Sequence, residues 1–188
     1  VKILALDTET SGLSPERHAI VSLGLAVMEN GEVLSSHEFR MGVWEKTEYD
    51  VKALQISGIA WEDIEVAPAP IAVYAAVHSW IEKNGARDLT IVSHNAAFDA
   101  VFISQWMFKC GVYDRSLRRF VAAHEIVKGP WACTRRMASD LGLENLKLDT
   151  VAGYFGLSRS GELHGALEDA VLAGQVFFEL RKLAAEAA

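Results

Sequence analysis

The chain opens with apolar residues at nearly every position from Val1 to Leu6. Two acids, Asp7 and Glu9, then follow where a core would normally continue. Aliphatic and β-branched content of this kind predicts a buried strand. Side chains alternate between the two faces of a strand, so Ile3, Ala5, Asp7 and Glu9 share one side if the extended conformation persists. Residues 19–28 and 32–40 are also β-rich, and Glu29-Asn30-Gly31 joins them with a strong hairpin signal. The first three strands are therefore expected to form a meander. Pro68 and Pro70 interrupt the chain before a helical pattern over residues 71–83, and residues 89–93 then read as another buried strand. Helices are expected through most of the rest, the Ala-rich C-terminal end being the last turns of the final one. The pattern alone supports a mixed α/β domain.

Two further acids break predicted helices in the same way. Asn95 is a suitable N-cap, and Asp99 then heads an apolar stripe with Phe102, Ile103 and Trp106. Asp169, Ala173, Val176, Leu180 and Leu183 fall on one helical face, with Asp169 in the first turn. His164 lies about 140° from Asp169 around a helix of 3.6 residues per turn, so the two cannot share that face. Gly165 favours a loop position for His164, just ahead of the helix. Two carboxylates held as close as Asp7 and Glu9 repel, and a partly buried pair either takes up a proton or acquires a cation. Four carboxylates with no thiolate favour Mg²⁺ or Mn²⁺ over zinc. A histidine beside them suits a base for an attacking water, which makes phosphoryl transfer the expected chemistry.

Each of these stretches is ordinary in isolation: a strand end, a helix cap, an acidic first turn. Their order and spacing change that. Asp7-Thr8-Glu9-Thr10-Ser11-Gly12-Leu13, then Ser93-His94-Asn95-Ala96-Ala97-Phe98-Asp99, then His164 to Asp169 resemble the three motifs of the DEDD-type 3′→5′ exonucleases of the histidine subclass. That group includes a polymerase proofreading subunit, ribonuclease T, exonuclease X and oligoribonuclease. Ala53 to Ile59 and Leu146 to Asp149 are similar to the segments between those motifs. The departures are Ser11, in place of a common threonine, and Gly165, where a longer side chain is frequent.

The resemblance implies a ribonuclease H-like mixed five-stranded sheet flanked by helices, spanning residues 1–188 as a single exonuclease domain. It implies two divalent metal ions, Mg²⁺ or Mn²⁺, among Asp7, Glu9, Asp99 and Asp169, with His164 as general base. Glu9 and Thr10 would meet the terminal 3′-hydroxyl, Leu13 would wedge between the last two bases, and His94 and Phe98 would line the terminal nucleotide pocket. The expected activity is release of nucleoside 5′-monophosphates from the 3′ end of single-stranded nucleic acid, DNA slightly favoured. An RNA 3′-end trimming exoribonuclease stays open beside it, as does a catalytically inactive module that binds nucleic acid or a polymerase.

Composition agrees with one enzyme domain: 188 residues with 51% hydrophobic content can bury a core. No apolar run approaches a membrane span, and no secretory segment precedes Val1, which stands where an initiator methionine or longer N-terminus is expected. Cys110 and Cys133 lack metal spacing and are expected as reduced thiols of a cytoplasmic protein. The net charge of −7 disfavours nonspecific binding to long duplexes and leaves a short strand end available. Between Lys109 and Arg136, seven cations (Lys109, Arg115, Arg118, Arg119, Lys128, Arg135 and Arg136) face only Asp114 and Glu125, which makes a candidate phosphate track or a solvated basic surface. His18, His37, His78 and His124 are expected as surface or packing residues, and Trp80 and Trp106 as core. A homodimer and a polymerase partner are left open, the latter without support from the residues themselves.

Overall fold

A computed structural model describes residues 1–114, 119–121, 126–159 and 165–186 of the chain. Its centre is a five-stranded sheet. Strand β1 (Lys2–Thr10) pairs antiparallel with β2 (Ile20–Glu29), which pairs antiparallel with β3 (Glu32–Arg40). On the other side β1 pairs parallel with β4 (Thr90–Ser93), and β4 with β7 (Trp131–Cys133), so the order is β3-β2-β1-β4-β7. The meander is as expected. Asn30 and Gly31 at its second turn, between β2 and β3, both have positive φ, 51° and 94°, the backbone that a tight hairpin with right-handed twist demands.

Helices cover both faces. Residues Leu4, Leu6, Leu23, Leu25 and Ile91 pack against α3 (Pro70–Lys83) and α4 (Ala96–Lys109), with Trp106 buried among them. Ile3, Ala5, Ala26, Met28 and Val92 pack on the opposite face against α7 (Ala166–Glu186). The outer side of α7 is covered in turn by α6 (Leu148–Tyr154) and by Ala138, just beyond α5 (Thr134–Met137). The alternation of β1 thus assigns its even positions to the α3/α4 side and its odd positions, Asp7 and Glu9 among them, to the α7 side. Short helices α1 (Val51–Ser57) and α2 (Trp61–Val66), with Ile59 between them, pack on Val21 at the start of β2 through Leu54 and Ile64.

Glycine fixes how near α7 can come. A Cβ on Gly24 would stand 2.1 Å from the Ala166 carbonyl oxygen, and one on Gly174 2.3 Å from Met28 Sδ. Gly24 is also the residue paired with Asp7 across the β1–β2 ladder. The bare backbone opposite Asp7 is therefore what lets the first turn of α7 settle on the sheet.

Three differences from the sequence expectation have plain causes. Strands β5 (Val112–Asp114), β6 (Arg119–Val121) and β7 lie where helices were expected; each has three residues, too few to show a period, and β5 and β6 pair only with each other. Asn95 sits ahead of α4 but makes no side-chain cap bond. It adopts the left-handed region at φ 69°, which Asn tolerates and which turns the chain sharply from β4 into α4. Leu183 follows Leu180 on the stripe that faces α6 rather than the sheet, lies outside the buried cluster that Leu180 joins there, and is 37% exposed.

Candidate active site

The odd face of β1 carries Asp7 and Glu9 past the last residue paired with β4, Ala5, to the sheet edge where β4 also ends. Asp169 in the first turn of α7 arrives from the same face, and one carboxylate oxygen from each of Asp7, Glu9 and Asp169 lies within 4.8 Å of the others. Asp99, in the first turn of α4, arrives from the other face. One of its oxygens accepts from the Thr8 backbone N–H at 3.0 Å and from the Thr8 hydroxyl at 2.8 Å, and the other accepts from the Ser93 hydroxyl. Beyond Ala5 the β4 side of β1 has no ladder partner, and Asp99 takes the place of that strand for Thr8.

Crowding this much negative charge away from water has a measurable cost. Burial pushes the Asp7 carboxyl well above its ordinary value, and Asp99, Glu9 and Asp169 push it further. Burial and then Asp169 raise Glu9 to about 7. Burial raises Asp99 to about 6, against the opposing hydrogen bonds from Ser93 and Thr8. Asp99 does not belong to the 4.8 Å group, since its oxygens are turned to Thr8 and Ser93, yet it acts electrostatically on Asp7. The donor set is all carboxylate oxygen, which fits a hard divalent cation, and the raised affinity for protons is the signature of a cluster that a cation would relieve.

Sequence reading missed a cation already at this cluster. Arg159, with a side chain only 9% exposed, places one terminal nitrogen 3.0 Å from Asp149 Oδ1 and 3.0 Å from Asp169 Oδ1. Its charge lowers the proton affinity of both Asp7 and Glu9. No spacing signal marked it, for Arg159 stands ten residues from each acid and far from the basic stretch. Thr8 and Ser93 were within quoted motifs, but their role as the seat of Asp99 needed the fold.

The remaining expected residues are placed as follows. Thr10 is buried and its hydroxyl donates to the Gly12 carbonyl at 2.7 Å. Leu13 is 77% exposed beside that turn. Phe98 is half-buried, its ring 4.8 Å from that of Phe102. His94 has both ring nitrogens engaged, Nε2 with the Leu146 carbonyl at 2.8 Å and Nδ1 with the Thr134 hydroxyl at 2.9 Å. A carbonyl only accepts, so Nε2 carries the proton and Nδ1 accepts from Thr134. Burial lowers the His94 pKa, consistent with that neutral form. Any contact of His94 with a nucleotide would then use ring carbons. His164 lies outside the described residues, as do His124, Arg115, Arg118 and Glu125. Of the basic stretch, Lys128, Arg135 and Arg136 are exposed. His18 accepts from the Ser14 backbone N–H, His37 meets the Phe39 ring edge-on and His78 lies 3.9 Å from Glu82, which accords with surface and packing roles. Cys110 and Cys133 are free thiols.

A sheet whose central strand delivers acids to one edge, met by acidic helix starts from both faces, defines a class of metal-dependent nucleases. A family model described as an exonuclease of the RNase T type matches residues 4–177. The chain belongs to this family of DEDD-type 3′→5′ exonucleases and is a hydrolase of the DnaQ/DEDDh type. It is 29% identical over 180 residues to the DNA polymerase III subunit epsilon of Rickettsia prowazekii, an alignment covering 94% of this chain and 72% of the relative. It is likewise 29% identical over 175 residues to the PolC-type DNA polymerase III of Thermotoga maritima, covering 93% of this chain and 11% of that protein. Among solved structures, the nuclease domain of 3′hExo, a DEDDh member bound to rAMP, superposes with a TM-score of 0.72 at 16% identity, covering 98% of this chain and 92% of the other. Exonuclease X in complex with 5′ overhanging duplex DNA gives 0.65 at 18% identity, covering 97% and 93%. The ribonuclease H-like fold is thus confirmed. The family is divalent-metal dependent, and a two-metal mechanism is typical of it. No helix among the described residues is long and apolar enough to cross a membrane.

Proposed function

We propose that residues 1–188 work as one domain that releases nucleoside 5′-monophosphates from the 3′ end of a single strand, DNA slightly favoured. The observation that carries this reading is the convergence of Asp7, Glu9 and Asp169 within 4.8 Å at the end of the central strand, with Asp99 seated beside them. These four residues would hold two ions, Mg²⁺ or Mn²⁺. Bound there, the ions would supply charge stabilisation for the attacking and leaving oxygens of an in-line displacement.

The chain's own residues have distinct tasks in this reading. Thr8 and Ser93 hold Asp99 beside the cluster, and the oxygen that accepts from Ser93 keeps a lone pair for an ion. Thr10 is fixed by its bond to Gly12 and still offers lone pairs toward a terminal hydroxyl. Leu13, exposed beyond that turn, is free to insert between the last two bases, and Phe98 offers a ring face to the terminal one. His164 is the acceptor for the proton of the attacking water. Arg135 and Arg136 stand exposed next to Thr134, which holds His94, and would follow the incoming phosphates. Relatives named as a DNA polymerase III subunit and as a PolC-type DNA polymerase III support a DNA polymerase as partner.

An RNA-trimming role is the second reading, supported by the structural neighbour bound to rAMP. Digestion of matched 5′-labelled DNA and RNA oligonucleotides, with free or phosphate-capped 3′ ends, in Mg²⁺ and in Mn²⁺, tests both. The reading expects stepwise shortening of uncapped strands, DNA the faster, and strong inhibition by the 3′ cap. Faster RNA shortening would favour the second reading, and internal cuts in capped strands would contradict both.

A further inference from the structure

Arg159 is held as a bridge between one acid of the cluster and one acid outside it. Asp169 has a side chain 8% exposed and belongs to the carboxylate group, whereas the Asp149 side chain, at the head of α6, is 58% exposed. The guanidinium therefore spans from the interior of the site to its rim. The bridge is also incomplete, for Arg159 Nε is buried and has no hydrogen-bond partner among the described residues. A buried pair that serves only to brace a fold normally has its donors satisfied, because each unmet one costs free energy. The side chain lines a cleft of about 570 Å³ with Ser158, Gly165 and Glu168, so it borders open space rather than closed core.

A positive charge 3.0 Å from Asp169 and a divalent cation on the same carboxylate repel each other at close range and low dielectric. We propose that Arg159 is a positioning residue that acts as a tethered counter-cation. In the metal-free protein it neutralises Asp169 and keeps the crowded acids from separating; when the cluster takes its ion, the guanidinium withdraws from Asp169 and is retained by Asp149. The inference rests on the reading of Asp7, Glu9 and Asp169 as ion ligands. It gives Asp149 a task as well, as the acceptor that keeps the displaced charge within reach of the site.

Calorimetric titration with Mn²⁺ of the wild-type chain, Arg159→Gln, Asp149→Asn and the double variant tests this, with thermal melts of each in chelator. Removing the competitor should tighten Mn²⁺ binding by about tenfold, the scale of one close ion pair at reduced dielectric, and should lower the melting temperature of the metal-free protein. Removing the rim acceptor should do the opposite to Mn²⁺, weakening it several-fold, since Asp169 is then the one carboxylate partner of the guanidinium among the described residues. The double variant should bind like Arg159→Gln, because Asp149 acts through Arg159. Weaker Mn²⁺ binding in Arg159→Gln would overturn the proposal and make Arg159 a brace for Asp169. So would independent, additive effects in the double variant. Should Arg159→Gln fail to fold, Arg159→Met keeps the packed stem without the charge and carries the same expectation. A wild-type chain that takes up no Mn²⁺ would overturn the ligand reading itself, an outcome distinct from the rest.

Discussion

Glu9 and Asp99 carry the clearest consequence of the site for solution behaviour. The carboxyl of Glu9 is raised from its usual 4.5 to about 7 and that of Asp99 from 3.8 to about 6, burial being the main cause in both. An acid that holds its proton longer in the folded than in the unfolded state favours folding at low pH and loses that contribution as pH rises through its folded value. The metal-free protein should accordingly melt at lower temperature at pH 8 than at pH 5, with the fall concentrated between the usual and the raised values, and added Mn²⁺ should reverse it. At pH near 6.5 ion uptake should also expel protons, visible as a calorimetric heat that differs between buffers of different ionisation enthalpy. A metal-free melting temperature that rises steadily from pH 5 to 8 would mean that these acids are not crowded as described. His164 is assigned the base role by its motif alone, and His164→Ala separates that role from ligation. Turnover should fall by roughly 10²- to 10⁴-fold while Mn²⁺ affinity stays near wild type. A large loss of Mn²⁺ binding would recast it as a ligand.

At the level of elements, the site depends on how closely α7 approaches β2. The Ala166 backbone rests on Gly24, and Asp169 follows three residues later, opposite the Asp7 that Gly24 pairs with. Gly24→Ala introduces a methyl where backbone leaves no room, so the first turn of α7 must lift and take Asp169 with it. The expected loss is about 1–3 kcal/mol of stability by overpacking, together with weaker Mn²⁺ binding; thermal melts and titration would show both. Unchanged Mn²⁺ affinity would mean that the approach of α7 is set elsewhere. This element also shows what the sequence made legible. Period two placed Asp7 and Glu9 on the face of Ile3 and Ala5, and period 3.6 placed Asp99 and Asp169 on buried helix faces, because each signal lies within one element. The hairpin at Asn30-Gly31 was legible for the same reason. Strand β7 has three residues and no period to read, and Asn95 holds the expected N-cap position of α4 through backbone tolerance rather than a side-chain bond. The Asp149–Arg159–Asp169 bridge joins parts of the chain that meet only once α6 and α7 pack, so no local pattern could announce it.

In the whole molecule, the sheet serves as a divider that lets acids reach one edge from two sides. Helix α4 delivers Asp99 from the face of Leu4 and Leu6, α7 delivers Asp169 from the face of Ile3 and Ala5, and β1 contributes Asp7 and Glu9 between them. Apolar burial on both faces opposes the repulsion that the convergence creates, so the metal-free cluster is kept together by the fold and by Arg159. The central claim is that this convergence exists to hold divalent ions. Calorimetric Mn²⁺ titration of the wild-type chain beside Asp7→Asn tests it most directly. The account predicts saturable binding by wild type, largely abolished in an Asp7→Asn variant whose metal-free form is at least as stable, since a charge has left a repulsive cluster. Wild-type affinity retained in a folded Asp7→Asn variant would contradict it.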